Sequence, residues 1–84
     1  MKEQTKLYRI LRYAYLNRDK TFTNRDVANG TNIPITEIPS ATLTLYRYIK
    51  KKKIGFQVYY NFEINRKDYI KKLLENRGML EDEE

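Results

Sequence analysis

The stretch Phe22-Thr23-Asn24-Arg25-Asp26-Val27-Ala28-Asn29-Gly30 and, ten residues on, Ser40-Ala41-Thr42-Leu43-Thr44-Leu45-Tyr46-Arg47-Tyr48-Ile49-Lys50-Lys51-Lys52 decide how this chain is read. Thr23 and Asp26 have the spacing of a capping box, in which hydroxyl and carboxylate each satisfy an otherwise orphaned amide at a helix start. Phe22 before the cap and Val27 four residues after it match a hydrophobic staple. Gly30 is expected to end this short helix, and Thr31 to Pro34 reads as a tight connection. A further helix is expected from Pro39 or Ser40 to about Lys52, because proline is tolerated in a first helical turn. On it Ala41, Leu45, Tyr48 and Ile49 share one face, and Ser40, Thr44, Arg47 and Lys51 the opposite one. Leu43 and Tyr46 fall on the flank.

Upstream, residues 3–17 read as a helix whose stripe is Leu7, Ile10, Leu11 and Ala14. Lys6, Arg9 and Arg12 lie off that stripe, while Tyr8, Tyr13, Tyr15 and Leu16 widen the apolar surface. Asn17-Arg18-Asp19-Lys20 reads as a turn. Downstream the period changes. Ile54, Phe56, Val58, Tyr60, Phe62 and Ile64 alternate with Gly55, Gln57, Tyr59, Asn61 and Glu63, a strand pattern. A last helix is expected after Asn65, with Ile64 and Tyr69 as a staple, running through Ile70, Leu73 and Leu74 to Gly78. Met79 is expected to fold back on Leu74.

Eighty-four residues make one small domain. With neither cysteine nor histidine, disulfides, thiolate metal sites and the usual general base are excluded. No glycine-rich phosphate loop or nucleophile–base pair stands out, so no enzyme, cofactor or metal is expected. The chain has neither an apolar run of membrane-spanning length nor a signal peptide, and a cytoplasmic location is expected. Seventeen Lys and Arg face eleven Asp and Glu, four of them in the last four residues. Residues 1–80 therefore carry +10, a self-repulsion that an anionic partner relieves. Residues 1–78 are read as the domain and 79–84 as an acidic, disordered tail.

The order of these elements, with the two quoted stretches as a helix-turn-helix, resembles the winged-helix transcription regulators. Size and richness in Lys, Ile, Asn and Tyr are similar to the small regulators of archaea and archaeal viruses. The resemblance implies an α+β, mostly α fold: three N-terminal helices, a short or reduced β wing at residues 54–64, and a C-terminal helix. It further implies that helix 40–52 lies in the major groove of double-stranded DNA while the wing touches phosphates or the minor groove. The wing is the point of departure, because residues 54–64 contain no Asn-Gly, Asp-Gly or Gly-Gly break. Two readings stay open: a stunted wing turning at Gly55 or Asn61, or one long strand. A long strand would pair with Thr21-Phe22-Thr23 or with a second copy of the chain, giving a homodimer through strand 54–64 or the terminal helices.

Arg47, Lys50, Lys51, Lys52 and Lys53 are the strongest cluster, suited to neutralising phosphates. Lys52 is expected to point towards the packed face and snorkel out of it. Ser40, Thr42, Thr44 and Arg47 are the candidate base readers, since Arg grips guanine and a threonine methyl touches thymine. Arg25 is a secondary DNA contact, with Lys6, Arg9 and Arg12 behind it. Gln57, Tyr59 and Asn61 would meet phosphate if their segment is a wing. The competing functions are a protein-interaction module, such as an adaptor or a viral host-interaction factor, built on the tyrosine and strand surface, and single-strand or RNA binding by tyrosine stacking.

Overall fold

The computed structural model describes residues 2–80. Thr23 caps helix α2 (Asn24–Thr31) as the sequence predicts. The Asp26 amide donates to Thr23 Oγ1 at 3.3 Å, and the Thr23 amide donates to Asp26 Oδ2 at 3.0 Å. Gly30, however, does not end the helix. Asn32 takes the left-handed turn, with φ 64° and its amide bonded to the Ala28 carbonyl. Gly30 answers to a different constraint. A Cβ there would lie 2.2 Å from Cε2 of Tyr13, whose ring meets Phe22 edge-on with centroids 5.3 Å apart. Helix α1 (Lys2–Leu16) can therefore lie against α2 only where α2 lacks a side chain. Gly30→Ala should be net destabilising by about 1–2 kcal/mol, because the displaced ring outweighs the helix propensity gained. Urea unfolding measures this, and a variant more stable than the parent would show that the ring moves aside freely.

Ile10, Leu11, Ala14 and Tyr15 of α1 are buried against Val27, Ile33, Ile38, Leu45, Ile70 and Leu74, which form the core. The polar residues after α1 turn, with the Asn17 amide on the Tyr13 carbonyl. After a 3-10 turn at Ile35–Glu37, helix α3 spans only Ile38–Thr44. The expected helix to Lys52 is thus corrected. The Leu45 amide is shared between the Ala41 and Thr42 carbonyls, and residues 45–48 form a turn. Residues 49 onward then find a better partner than another helical turn, in an antiparallel pair of strands, β1 (Ile49–Ile54) with β2 (Gln57–Phe62). In a strand the four lysines alternate between faces.

Of the two readings left open for residues 54–64, a hairpin turning at Gly55 is the one observed, and it begins five residues earlier than read. Ile54 pairs with Gln57 across the two-residue loop Gly55-Phe56. Gly55 has φ 62° and Phe56 is not in the positive region, the pattern of a type II′ turn with glycine first. The alternation read from sequence holds where β2 meets the core, at Tyr60 and Phe62, and fails at Ile54 and Phe56, which sit at the tip in water. Phe22 pairs with Tyr60 on the other side of β2, through bonds of 3.0 and 2.7 Å. β2 is therefore flanked by β1 and, at Tyr60 alone, by Phe22, within the segment Thr21-Phe22-Thr23 that the sequence offered as a partner for this strand.

A second 3-10 turn, Ile64–Arg66, leads into helix α4 (Lys67–Asn76). The expected staple partner Tyr69 stacks instead on Tyr48, with centroids 6.0 Å apart. Gly78, at φ 71°, donates to the Glu75 carbonyl and Met79 to that of Leu74, the C-terminal cap that the sequence implies. The packed body reaches beyond residue 78, because Leu80 is buried. Arg12 Nε donates to the Met79 carbonyl at 2.7 Å, and the Arg77 guanidinium lies 3.8 Å from the Tyr8 ring centroid, so α1 holds the end of α4. Residues 81–84, which carry the expected acidic tail, lie outside the described residues. The fold is α+β, mostly helical, with four helices and a two-stranded antiparallel sheet, an arrangement compatible with a winged helix. Among the described residues no helix is long and apolar enough to cross a membrane.

Candidate nucleic-acid interface

Two elements carry the residues read as DNA contacts, α3 and the hairpin that follows it. On α3 the inward stripe is Ile38, Ala41, Thr42 and Leu45, at the 3-1-3 spacing of an amphipathic helix. This corrects one candidate. Thr42 is 3% exposed, with Oγ1 donating to the Pro39 carbonyl at 3.0 Å and hydrogen-bonded to the Tyr60 hydroxyl at 3.3 Å. From there it cannot reach a base edge. Ser40 and Thr44 do face solvent, and Thr44 Oγ1 donates back to the Ser40 carbonyl at 3.1 Å. Leu43 on α3 and Tyr46 in the turn after it are 66% and 65% exposed.

Arg47 lies in the turn after α3 rather than within a helix. It is exposed, with Nε donating to the Tyr46 hydroxyl at 3.2 Å and its guanidinium 5.8 Å from that ring's centroid. The hydrogen bond to Tyr46 raises the pKa of Arg47 above its ordinary value. The tyrosine thereby orients a permanently charged fork whose other donors remain open.

The lysines are not at a helix end. All four are exposed along β1, Lys50 and Lys52 on one face of the ribbon and Lys51 and Lys53 on the other. Lys52 thus points to solvent, not to the packed face. Lys50 Nζ lies 3.2 Å from Glu63 Oε1, and its hydrogen bond holds the Glu63 carboxyl below its ordinary pKa. Lys51, Lys52 and Lys53 have no ion pair among the described residues. Of the polar residues on β2, Asn61 Nδ2 donates to Thr21 Oγ1 at 2.9 Å and Gln57 Nε2 to the Val58 carbonyl at 3.1 Å. Arg25 is exposed on α2 and shares a shallow depression with Thr23, Ile35 and Gln57, which brings it near the far strand of the hairpin.

Lys6, Arg9 and Arg12 of α1 are occupied with the fold. Lys6 pairs with Glu37, Arg9 donates to the Thr31 carbonyl and Arg12 to that of Met79. Each ties α1 to another part of the chain. Sequence reasoning gave Leu43 and Tyr46 only a flanking position and set Ile54 and Phe56 in the apolar alternation of a strand, so it missed their exposure. The signal that was there to be used is Gly55, whose neighbours can leave the alternation once it is taken as the first residue of a tight turn. Among the described residues no group of three or more His, Cys, Asp or Glu could hold a metal ion. Compared with protein-family models, curated proteins and solved structures, the chain matches none.

Proposed function

We propose that this chain is a small winged-helix protein that binds double-stranded DNA sequence-specifically, as a transcriptional regulator. The observation that carries the reading is the hairpin 49–62, which follows α3 after one turn and sets Lys51, Lys52 and Lys53 in water on both of its faces. Cations so placed neutralise phosphates on the two sides of a groove and release counterions. Ser40, Thr44 and Arg47 then face base edges in the major groove, with α3 and the turn after it in place of the longer helix. Arg25 adds a phosphate contact beside the hairpin. A dimer would read two half-sites about one helical turn apart, and sedimentation with and without duplex counts the copies.

Anisotropy titrations of labelled duplexes over a salt series, with footprinting on the protein's own genomic neighbourhood, test the proposal. Expected are a protected site and affinity that falls steeply with salt. No binding to any duplex at low salt would reject it. Arg47→Ala should cost about 1–3 kcal/mol on the footprinted site and relax preference at one base. Equal losses on specific and random duplexes would reject Arg47 as a reader.

A second reading has an observation of its own. Ile35, Leu43 and Tyr46 are large, apolar and 46–66% exposed beside α3, and aromatic and aliphatic anchors suit protein interfaces. On that reading the same fold is a protein-interaction module. Tight capture of a protein that Leu43→Ser abolishes, without duplex binding, would favour it.

A further inference from the structure

Nothing in the fold asks for an aromatic ring at the tip of the hairpin. The turn needs glycine at its first position, because Gly55 has φ 62°, yet open space surrounds that residue, with no atom within 4 Å of where a Cβ would sit. The second loop position has no positive φ and accepts most residues. It holds Phe56, 105% exposed, with Ile54 57% exposed beside it. A solitary exposed hydrophobe is ordinary. This pair is set apart by its mounting. Segment 49–62 contains four lysines and no acid, and Tyr60, the last fully buried residue before the tip, pairs with Lys51. From there to Phe56 the ribbon runs four residues, about 13 Å at the rise of a strand. That reach exceeds the roughly 7.5 Å depth of a minor groove.

We propose that Phe56, supported by Ile54, is an apolar wedge that enters the minor groove of duplex DNA beside the α3 site, unstacks one base step and bends the helix axis. This rests on the DNA-binding reading above and adds a second determinant of site choice. Charge complementarity selects the occupant. Lysines on both faces of a projecting ribbon match a groove walled by phosphates on both sides, and the stacked bases at its floor are the apolar surface between those walls. One ring is all that a wedge requires, whereas one ring and one isoleucine are too little apolar surface to anchor a protein stably to a membrane. Pyrimidine–purine steps unstack most easily. The chain should therefore prefer TA or CA/TG at a position that α3 does not touch.

The test uses the full chain and a roughly 30-base-pair duplex from the footprinted site, labelled at both ends for energy transfer, with 2-aminopurine at the candidate step. Wild-type protein should shorten the end-to-end distance and brighten the 2-aminopurine. Phe56→Ala, at a fully exposed position, should keep the wild-type melting temperature and the α3 footprint. It should lose the bend and the brightening, and bind about tenfold more weakly. Phe56→Trp should restore both signals. Wild-type protein bound to an unbent duplex, or Phe56→Ala bending it as wild type does, would overturn the wedge and leave DNA binding intact. Failure of wild type to bind any duplex would overturn the underlying reading as well. So would Phe56-dependent sedimentation with phosphatidylserine vesicles in place of duplex binding.

Discussion

Replacing Lys51, Lys52 and Lys53 together by alanine should lower duplex affinity on the order of a hundredfold at about 0.15 M salt. The reasoning runs through counterions. Each lysine that neutralises a phosphate adds about 0.9 to the slope of log affinity against log salt, so the triple variant should flatten that slope by about 2.7. All three side chains are exposed on a ribbon that leaves the body of the protein, so the fold should not suffer. Surface substitutions of this kind usually stay within about 0.5 kcal/mol, and here they also remove repulsion among like charges. Lys50→Ala, by contrast, should change the slope little, because Glu63 already compensates that charge. The triple change to arginine should keep the slope. Anisotropy titrations at four or five salt concentrations measure all of these. A slope unchanged in the alanine variant would show that the ribbon does not touch phosphate.

The second large effect concerns the root of the same ribbon. Tyr60 is 1% exposed, pairs with Lys51 on one side and Phe22 on the other, and lies 3.3 Å from Thr42 through its hydroxyl. Its ring lies 6.3 Å, centroid to centroid, from that of Phe22. Tyr60→Ala should cost about 3–5 kcal/mol, since a cavity forms where hairpin, α3 and the strand residue Phe22 meet. For a domain of this size that is a large share of the total, and the melting temperature should fall by at least about 12 °C. Tyr60→Phe should cost only about 1 kcal/mol, because Thr42 keeps its bond to the Pro39 carbonyl. Thermal unfolding of both variants separates ring from hydroxyl. Equal losses would mean that the hydroxyl, not the packing, holds the joint.

Local chemistry was legible in the sequence and competition between partners was not. The cap of α2 was readable because Thr23 and Asp26 reach each other across three residues with no help from elsewhere. The turn at Gly78 and Met79 closed for the same reason. The end of α3 was not readable, because four lysines in a row have no apolar period, and Leu45 and Ile49 fit a helical spacing as well as a strand start. What decides between them is β2, a partner that lies outside the quoted stretch. Thr42 was misplaced by a smaller error. Starting the helix after Ile38 narrows the stripe to Ala41 and Leu45, and only with Ile38 included does it widen far enough for Thr42, about 40° beyond Ile38, to fall on the inside. The hairpin was half legible. Tyr60 and Phe62 point inward as the alternation implies, while Ile54 and Phe56 lie beyond the body, where no core remains to receive them.

The outer side of β1 has one more consequence. Alternate residues of β1 turn their amides and carbonyls away from β2, with no strand beside them among the described residues, an invitation to any extended peptide, including another copy of this segment. Four positive charges along that border make such an addition repulsive, so the ribbon resists fibre-like stacking. Strip the charges, and the alanine variant should become the one that precipitates on concentration.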